Sequence, residues 1–170
     1  MTAVAAQAIR TERLELEPLR IEHAEEMAVV LADPALHTFI GGAPDSPQEL
    51  RARYQRMVAG SGDPALCWLN WVIRLRDEGC LAGTVQATVS LSGQDCGAEI
   101  AWVVGTPWQG RGIASEAARG LVGWLARQPV GSVIAHIHPE HRASAGVAVA
   151  AGLAPTGEWN EGEIRWRRVF

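Results

Sequence analysis

Apolar and polar residues alternate along Leu14-Glu15-Leu16-Glu17-Pro18-Leu19, which predicts a first strand stopped by Pro18. Between Ile21 and Asp33 the period changes. Ala24, Met27, Ala28 and Leu31 share one helical stripe, and Asp33-Pro34 ends it. Ala35 to Asp45 holds His37, Phe39, Ile40 and Gly41-Gly42 and is too apolar for a plain surface loop. Ser46-Pro47-Gln48-Glu49 supplies an N-cap, a proline at the first helical position and a glutamate three residues on, so a second helix runs to about Ala59. Gly60 to Pro64 breaks it. Three strands follow: Leu69 to Leu75, Leu81 to Leu91 with Gly83 inside it, and Gly97 to Val104. Turns at Asp77-Glu78-Gly79 and Ser92-Gly93-Gln94-Asp95 separate them. Helical spacing returns from Ile113 to about Arg127. Val133 to His138 reads as a fifth strand, Ala143 to Ala151 as a short helix capped by Gly152, and Thr156 to Phe170 as two strands around Asn160-Glu161-Gly162. The order predicts an α/β (α+β) fold, one domain with a mixed sheet and helices on both faces. Met1 to Ala8 is expected to be a frayed leader.

One stretch carries more than fold information. Ile100, Trp102 and Val104 fall on one face of the fourth strand and Glu99, Ala101 and Val103 on the other. Gly105 and Pro107 stop the strand, and the next helix starts inside Gly110-Arg111-Gly112. The first N–H groups of a helix have no intrahelical acceptor and lie at the positive end of its dipole. Two glycines admit a ligand close to that backbone, and Arg111 adds a charge. In its physics this is a phosphate-binding turn. It lacks the three spaced glycines of a dinucleotide fold and the lysine of a P-loop.

Gln109, Gly112 and Ala114 instead form Gln-x-x-Gly-x-Ala. This resembles the acetyl-CoA diphosphate motif of the GNAT superfamily of N-acetyltransferases. Thr11-Glu12-Arg13-Leu14, Gly105-Thr106-Pro107-Trp108 and Ala114-Ser115-Glu116-Ala117 are similar to the RimJ/RimL-like branch, which acetylates ribosomal-protein N-termini. The likeness extends from about Ile9 onward. It implies a mostly antiparallel sheet of six to seven strands, splayed between the fourth and fifth. It also implies an enzyme: acetyl-CoA as cosubstrate, no metal, and direct transfer to a primary amine on a protein N-terminus or a small molecule. Main-chain groups of Trp102, Val103 and Val104 would hold the pantetheine arm. One amide, of Val103 or Val104, would polarise the thioester. Gln109, Gly110, Arg111, Gly112, Ile113 and Ala114 would hold the diphosphate.

Acetyl transfer needs a neutral amine, an oxyanion donor and a proton for the leaving thiolate. Two candidates for the base remain open. Glu99 interrupts an apolar strand, and a plain alternative is pairing with Arg165 or Arg167. His136 sits near the end of the fifth strand and titrates in the useful range. His136, His138 and His141 also have the spacing of metal ligands, but no cysteine or acidic cluster joins them. His141-Arg142-Ala143-Ser144 stands where the family has Asn-x-x-Ser. The resemblance puts His141 and Ser144 beside the cosubstrate and makes Ser144 the candidate that stabilises or protonates the thiolate. Many relatives place an acidic tyrosine where this chain has Ala148. The single tyrosine, Tyr54, is in the early helix, where it could line the acceptor side. The changes at His141 and Ala148 leave room for two competing readings, a CoA-binding sensor with little turnover and a binding domain without CoA affinity.

Composition narrows the setting. The chain has 170 residues and a formal charge of −4, with neither a basic patch for nucleic acid nor an apolar run that spans a bilayer. Cys67, Cys80 and Cys96 lie far apart, and their odd number suits a reducing cytoplasm. Seven tryptophans are many for this length and suit a core with an apolar-walled pocket. A monomer or homodimer is expected.

Overall fold

The computed structural model describes residues 4–91 and 96–170, so the turn expected at Ser92 to Asp95 lies outside the described residues. Eight strands form one sheet: β1 (Ile9–Arg10), β2 (Leu14–Pro18), β3 (Leu66–Leu75), β4 (Leu81–Ser90), β5 (Gly97–Val104), β6 (Ser132–Ile137), β7 (Ala154–Asn160) and β8 (Glu163–Val169). Their spatial order is β1-β2-β3-β4-β5-β6-β8-β7. Only β5 and β6 pair in parallel. The sheet therefore exceeds the expected six to seven strands. The addition is β1, two residues that pair with Glu15 and Leu16, too short to show a period. The fourth and fifth strands of the sequence are β5 and β6.

The helices are α1 (Ala24–Val30), α2 (His37–Ile40), α3 (Pro47–Ala59), α4 (Ile113–Leu125) and α5 (Arg142–Ala150). Ser46 caps α3 as its sequence predicts. Its hydroxyl accepts from the Glu49 amide, and Glu49 accepts from the Ser46 amide. The helix expected over Ile21 to Asp33 is shorter, because its first turn, Ile21–His23, is 3-10. Two apolar clusters cover the two faces of the sheet. The larger joins α4 and α5 to the inward residues of most strands, with Leu14, Leu16, Ile73 and Leu121 fully buried. The smaller joins α1 and α3 through Ala24, Met27, Leu50 and Tyr54 onto Val72 and Leu81.

Residues 4–8 do not fray as a leader. Val4 is buried, and the Gln7 carbonyl accepts the indole N–H of Trp71 at 2.7 Å. Val4 and Ala6 pack on the core, a tertiary contact that a short stretch cannot announce. Gly83 stands at an irregularity of β4, where Ile73 pairs with Gly83 and Arg74 with Leu81. A Cβ at Gly83 would collide with the Val103 carbonyl oxygen, so this crossing of β4 and β5 admits only glycine. No helix among the described residues is long and apolar enough to cross a membrane.

Candidate functional site: a cleft between parted strands

β5 and β6 pair only through Gly97↔Ser132, Ala98↔Val133 and Glu99↔Ile134. Beyond Glu99 the two strands part. Main-chain groups alternate in direction along a strand. Because the Gly105 amide donates to Ala82 on the β4 side and the Cys96 carbonyl accepts from Gly131 on the other, Trp102 and Val104 face the gap. Val103 does not. Its main chain is turned to β4, where it pairs with Thr84, so it leaves the set expected to hold a ligand by backbone contact.

The gap opens into a cleft of ≈ 500 Å³ that runs to the start of α4. Trp102, Val103, Val104, Gln109, Gly110, Gly112, Ile113, Ala114, His141 and Ser144 line it. Gly110 and Gly112 have φ of +77° and +76°, the left-handed conformation that their missing Cβ makes cheap. The amides of residues 110–115 have no protein acceptor among the described residues. They converge on the positive end of a thirteen-residue helix. This is a backbone cradle for an anion, built without a lysine.

Two predicted members behave differently. The Arg111 guanidinium points away from the cleft to Glu78, at 2.8 Å. The Gln109 side chain donates to the Val104 carbonyl at 3.0 Å, so it ties the turn to the end of β5. The cation packed against the turn is Arg13, which sequence reasoning left unassigned. It donates to the Arg111 carbonyl at 2.9 Å and to Glu116 at 2.6 Å. Glu116 also accepts from the Arg13 amide at 2.8 Å and from the Thr11 hydroxyl at 2.5 Å. Burial alone would raise the Glu116 carboxyl, but these bonds from Thr11 and Arg13 outweigh it and hold the group below the ordinary carboxylate range. The Thr-x-Arg segment thus bolts the first strands to the first turn of α4.

Ser144 lies at the wall made by α5. The Trp102 indole N–H donates to its hydroxyl oxygen at 3.2 Å, and His141 Nε2 lies 3.1 Å from the same oxygen. His141 Nδ1 accepts from the Ser144 amide, which places the ring hydrogen on Nε2. Burial, with His138 close by, pushes the His141 pKa down, in keeping with that neutral ring. Two donors on the serine oxygen leave its own O–H free to point elsewhere. His141 therefore caps the start of α5, at the position where the chain departs from Asn-x-x-Ser. Phe39 of α2 stacks on His141 with centroids 4.2 Å apart and bridges the cleft from the other side.

Glu99 and His136 meet each other but line neither this cleft nor the cavity described next. His136 Nδ1 contacts the Glu99 carboxylate, and Arg165 Nε donates to His136 Nε2 at 3.2 Å. The lone pair of His136 is thereby occupied. Glu99 remains half exposed, on the sheet face that also carries Ala101 and Val103. The three histidines considered together for a metal have separate partners, His138 accepting from the Glu140 amide. Among the described residues no group of three His, Cys, Asp or Glu side chains has the arrangement of a metal site. The three cysteines are free.

A second cavity, of ≈ 290 Å³, lies on the α1–α3 face of the sheet and is walled by Leu31, Leu36, Leu50, Met57, Tyr54, Ala101 and others. Leu36, Trp102 and Val103 border both spaces, so the two meet near the C-terminal end of β5. Phe39, Leu36 and Trp108 were missed as lining residues. The apolar content of Ala35 to Asp45 was the signal available for the first two.

The parted parallel strand pair thus leads to a free helix start, and a second cavity opens at the parting. A family model described as an acetyltransferase (GNAT) domain matches residues 13–154, and the chain belongs to that family. GNAT enzymes use acetyl-CoA. No curated protein matches the sequence significantly. Among solved structures, a GNAT-family acetyltransferase from Bacillus anthracis superposes with a TM-score of 0.79 at 18% identity, covering 96% of this chain and 98% of that one. RimL, a ribosomal L7/L12 alpha-N-protein acetyltransferase solved with coenzyme A, gives 0.78 at 18% identity with the same coverage. The microcin C7 self-immunity acetyltransferase MccE, solved with acetyl-CoA and AMP, gives 0.74 at 15% identity over 94% of each chain. At these identities the likeness is one of fold.

Proposed function

We propose that this chain is an acetyl-CoA-dependent N-acetyltransferase of the RimJ/RimL-like branch that acetylates a primary amine by direct attack. The observation that carries the reading is the parting of β5 and β6 after Glu99, in line with unpaired amides at the start of α4. The backbone of residues 110–115 holds the diphosphate. Trp102 and Val104 offer main-chain groups to the pantetheine arm, and the Val104 amide is the donor to the thioester oxygen.

The amine nitrogen attacks the thioester carbonyl carbon, the carbon–sulfur bond breaks, and sulfur leaves with a proton. Water in the cleft delivers that proton, and Ser144 stabilises the departing sulfur with a hydrogen bond from the O–H that Trp102 and His141 leave free. Glu99 takes the proton from the amine. It lies two residues below Ala101 on one sheet face, about 7 Å along the strand, which a chain of two waters spans. His136, pinned by Arg165, holds the Glu99 carboxylate.

Thermal melting with acetyl-CoA, paired with a thiol-release assay, tests the proposal. Acetyl-CoA at a hundred times its dissociation constant stabilises the protein by about 2.7 kcal/mol. Gly112→Asp places a carboxylate at the cradle and abolishes this shift. A shift retained in the variant contradicts the turn assignment. Saturable stabilisation without thiol release from any amine supports the sensor reading instead.

A further inference from the structure

The cavity on the α1–α3 face contains two buried polar atoms with no protein partner among the described residues, the Tyr54 hydroxyl and His37 Nε2. Buried polar groups are nearly always paired, so two orphans in one cavity call for a ligand that pairs them. Their chemistry differs. His37 Nδ1 lies 3.2 Å from the Gly41 carbonyl oxygen, which can only accept. The ring hydrogen is therefore on Nδ1, and Nε2 presents a lone pair. It asks for an N–H or O–H donor. The Tyr54 side chain is only 3% exposed, and burial pushes its phenol up to about 12, so it presents an intact O–H.

The two atoms also differ in position. Leu36, the neighbour of His37, borders both the cavity and the cosubstrate cleft. Tyr54 belongs to the apolar cluster between α1 and α3. His37 thus follows directly on a residue of the junction, while Tyr54 packs within the α1–α3 cluster. The helix side of the cavity is mainly leucine, alanine and methionine, and the sheet side adds Asn70, Thr84 and Gln86 beside Trp71. The one acidic residue on the lining, Asp45, is already bound to Arg53 at 3.1 Å. A second ammonium group would find no free carboxylate there.

We propose, resting on the acetyltransferase reading, that the acceptor is a small primary amine with an apolar body and one neutral hydrogen-bonding group at its far end. His37 accepts the amine N–H at the junction and Tyr54 pairs the distal group. Hydroxyarylalkylamines and hydrophobic amino alcohols have this form. Linear polyamines do not.

The test compares tyramine, phenethylamine, putrescine and a short peptide with a free N-terminus in the thiol-release assay, with acetyl-CoA binding followed separately by thermal melting. Tyramine should exceed phenethylamine about tenfold in kcat/KM, because a buried site made for a hydroxyl rejects the analogue without one. Tyr54→Phe should reduce that ratio to about one. His37→Leu should lower kcat/KM about tenfold for both arylalkylamines while the acetyl-CoA melting shift persists. Preference for putrescine or the peptide, or an unchanged ratio in Tyr54→Phe, overturns the proposal and leaves the acetyltransferase reading standing. Absence of any acetyl-CoA shift in the unaltered protein overturns both.

Discussion

Tyr54 and Ser144 represent two ways in which a single residue gives up stability or inertness for a task. Burying a hydroxyl without a partner costs about 1–3 kcal/mol. Tyr54→Phe removes that cost and keeps the packing among Met27, Leu50 and Val72, so the ligand-free variant should melt at least about 2–4 °C higher. Scanning calorimetry checks this, and a lower midpoint would mean that the hydroxyl has a partner. Ser144 is the opposite case, fully engaged as an acceptor from Trp102 and His141. Ser144→Ala should lower kcat about a hundredfold, the usual contribution of a positioned hydrogen-bond donor to a developing negative charge, with the KM for acetyl-CoA little altered. Steady-state rates at saturating acetyl-CoA decide it, and an unaltered kcat removes Ser144 from the chemistry.

At the scale of elements, the segment before β2 and the first turn of α4 act as one piece. Glu116 accepts three bonds from Thr11 and Arg13, across more than a hundred residues of chain. Glu116→Ala would orphan the Arg13 amide and free a guanidinium that is itself nearly half exposed, so the loss should be about 2 kcal/mol rather than the full cost of a broken buried pair. Urea denaturation measures it, and a change within a few tenths would mean that water replaces the carboxylate. The chain stated the motif at each end, Thr-x-Arg-Leu and Ala-Ser-Glu-Ala, but not that they touch. Periodic elements were legible for the same reason that this pair was not. The α3 capping box and the β5 alternation are local, so spacing alone displays them. The cleft positions were legible through the Gln-x-x-Gly-x-Ala turn, whereas the direction of the Arg111 side chain depended on Glu78 in a distant hairpin. The turning of the Val103 main chain to β4 depended on strand register, which no residue type encodes. The seat of residues 4–8 on Trp71 was hidden likewise.

For the whole molecule, several titrating groups pull stability in one direction. The hydrogen bond from Arg74 holds Glu17 below the ordinary carboxylate range, and Glu116 is held low as well. Burial, followed by the nearby Arg20, lowers His23, and burial lowers His141. The folded carboxylates bind protons less readily than the unfolded ones. Their contribution is complete above the ordinary value of 4.5 and is lost as pH falls through the lowered folded value. The histidines act earlier. Below 6.5 the unfolded chain takes up protons that the folded chain refuses, so stability falls there too. The melting temperature should therefore decline from pH 7 to pH 5 through the histidines and again in stronger acid through the carboxylates. A midpoint that stays level from pH 7 to pH 5 would contradict the buried neutral state of His23. The split in the sheet has a consequence for traffic. Under the proposed assignment, the thioester and the amine arrive from opposite sides of one layer and meet at the window framed by Leu36, Trp102 and Val103. Neither route crosses the other, so each reactant can enter or leave while its counterpart stays in place.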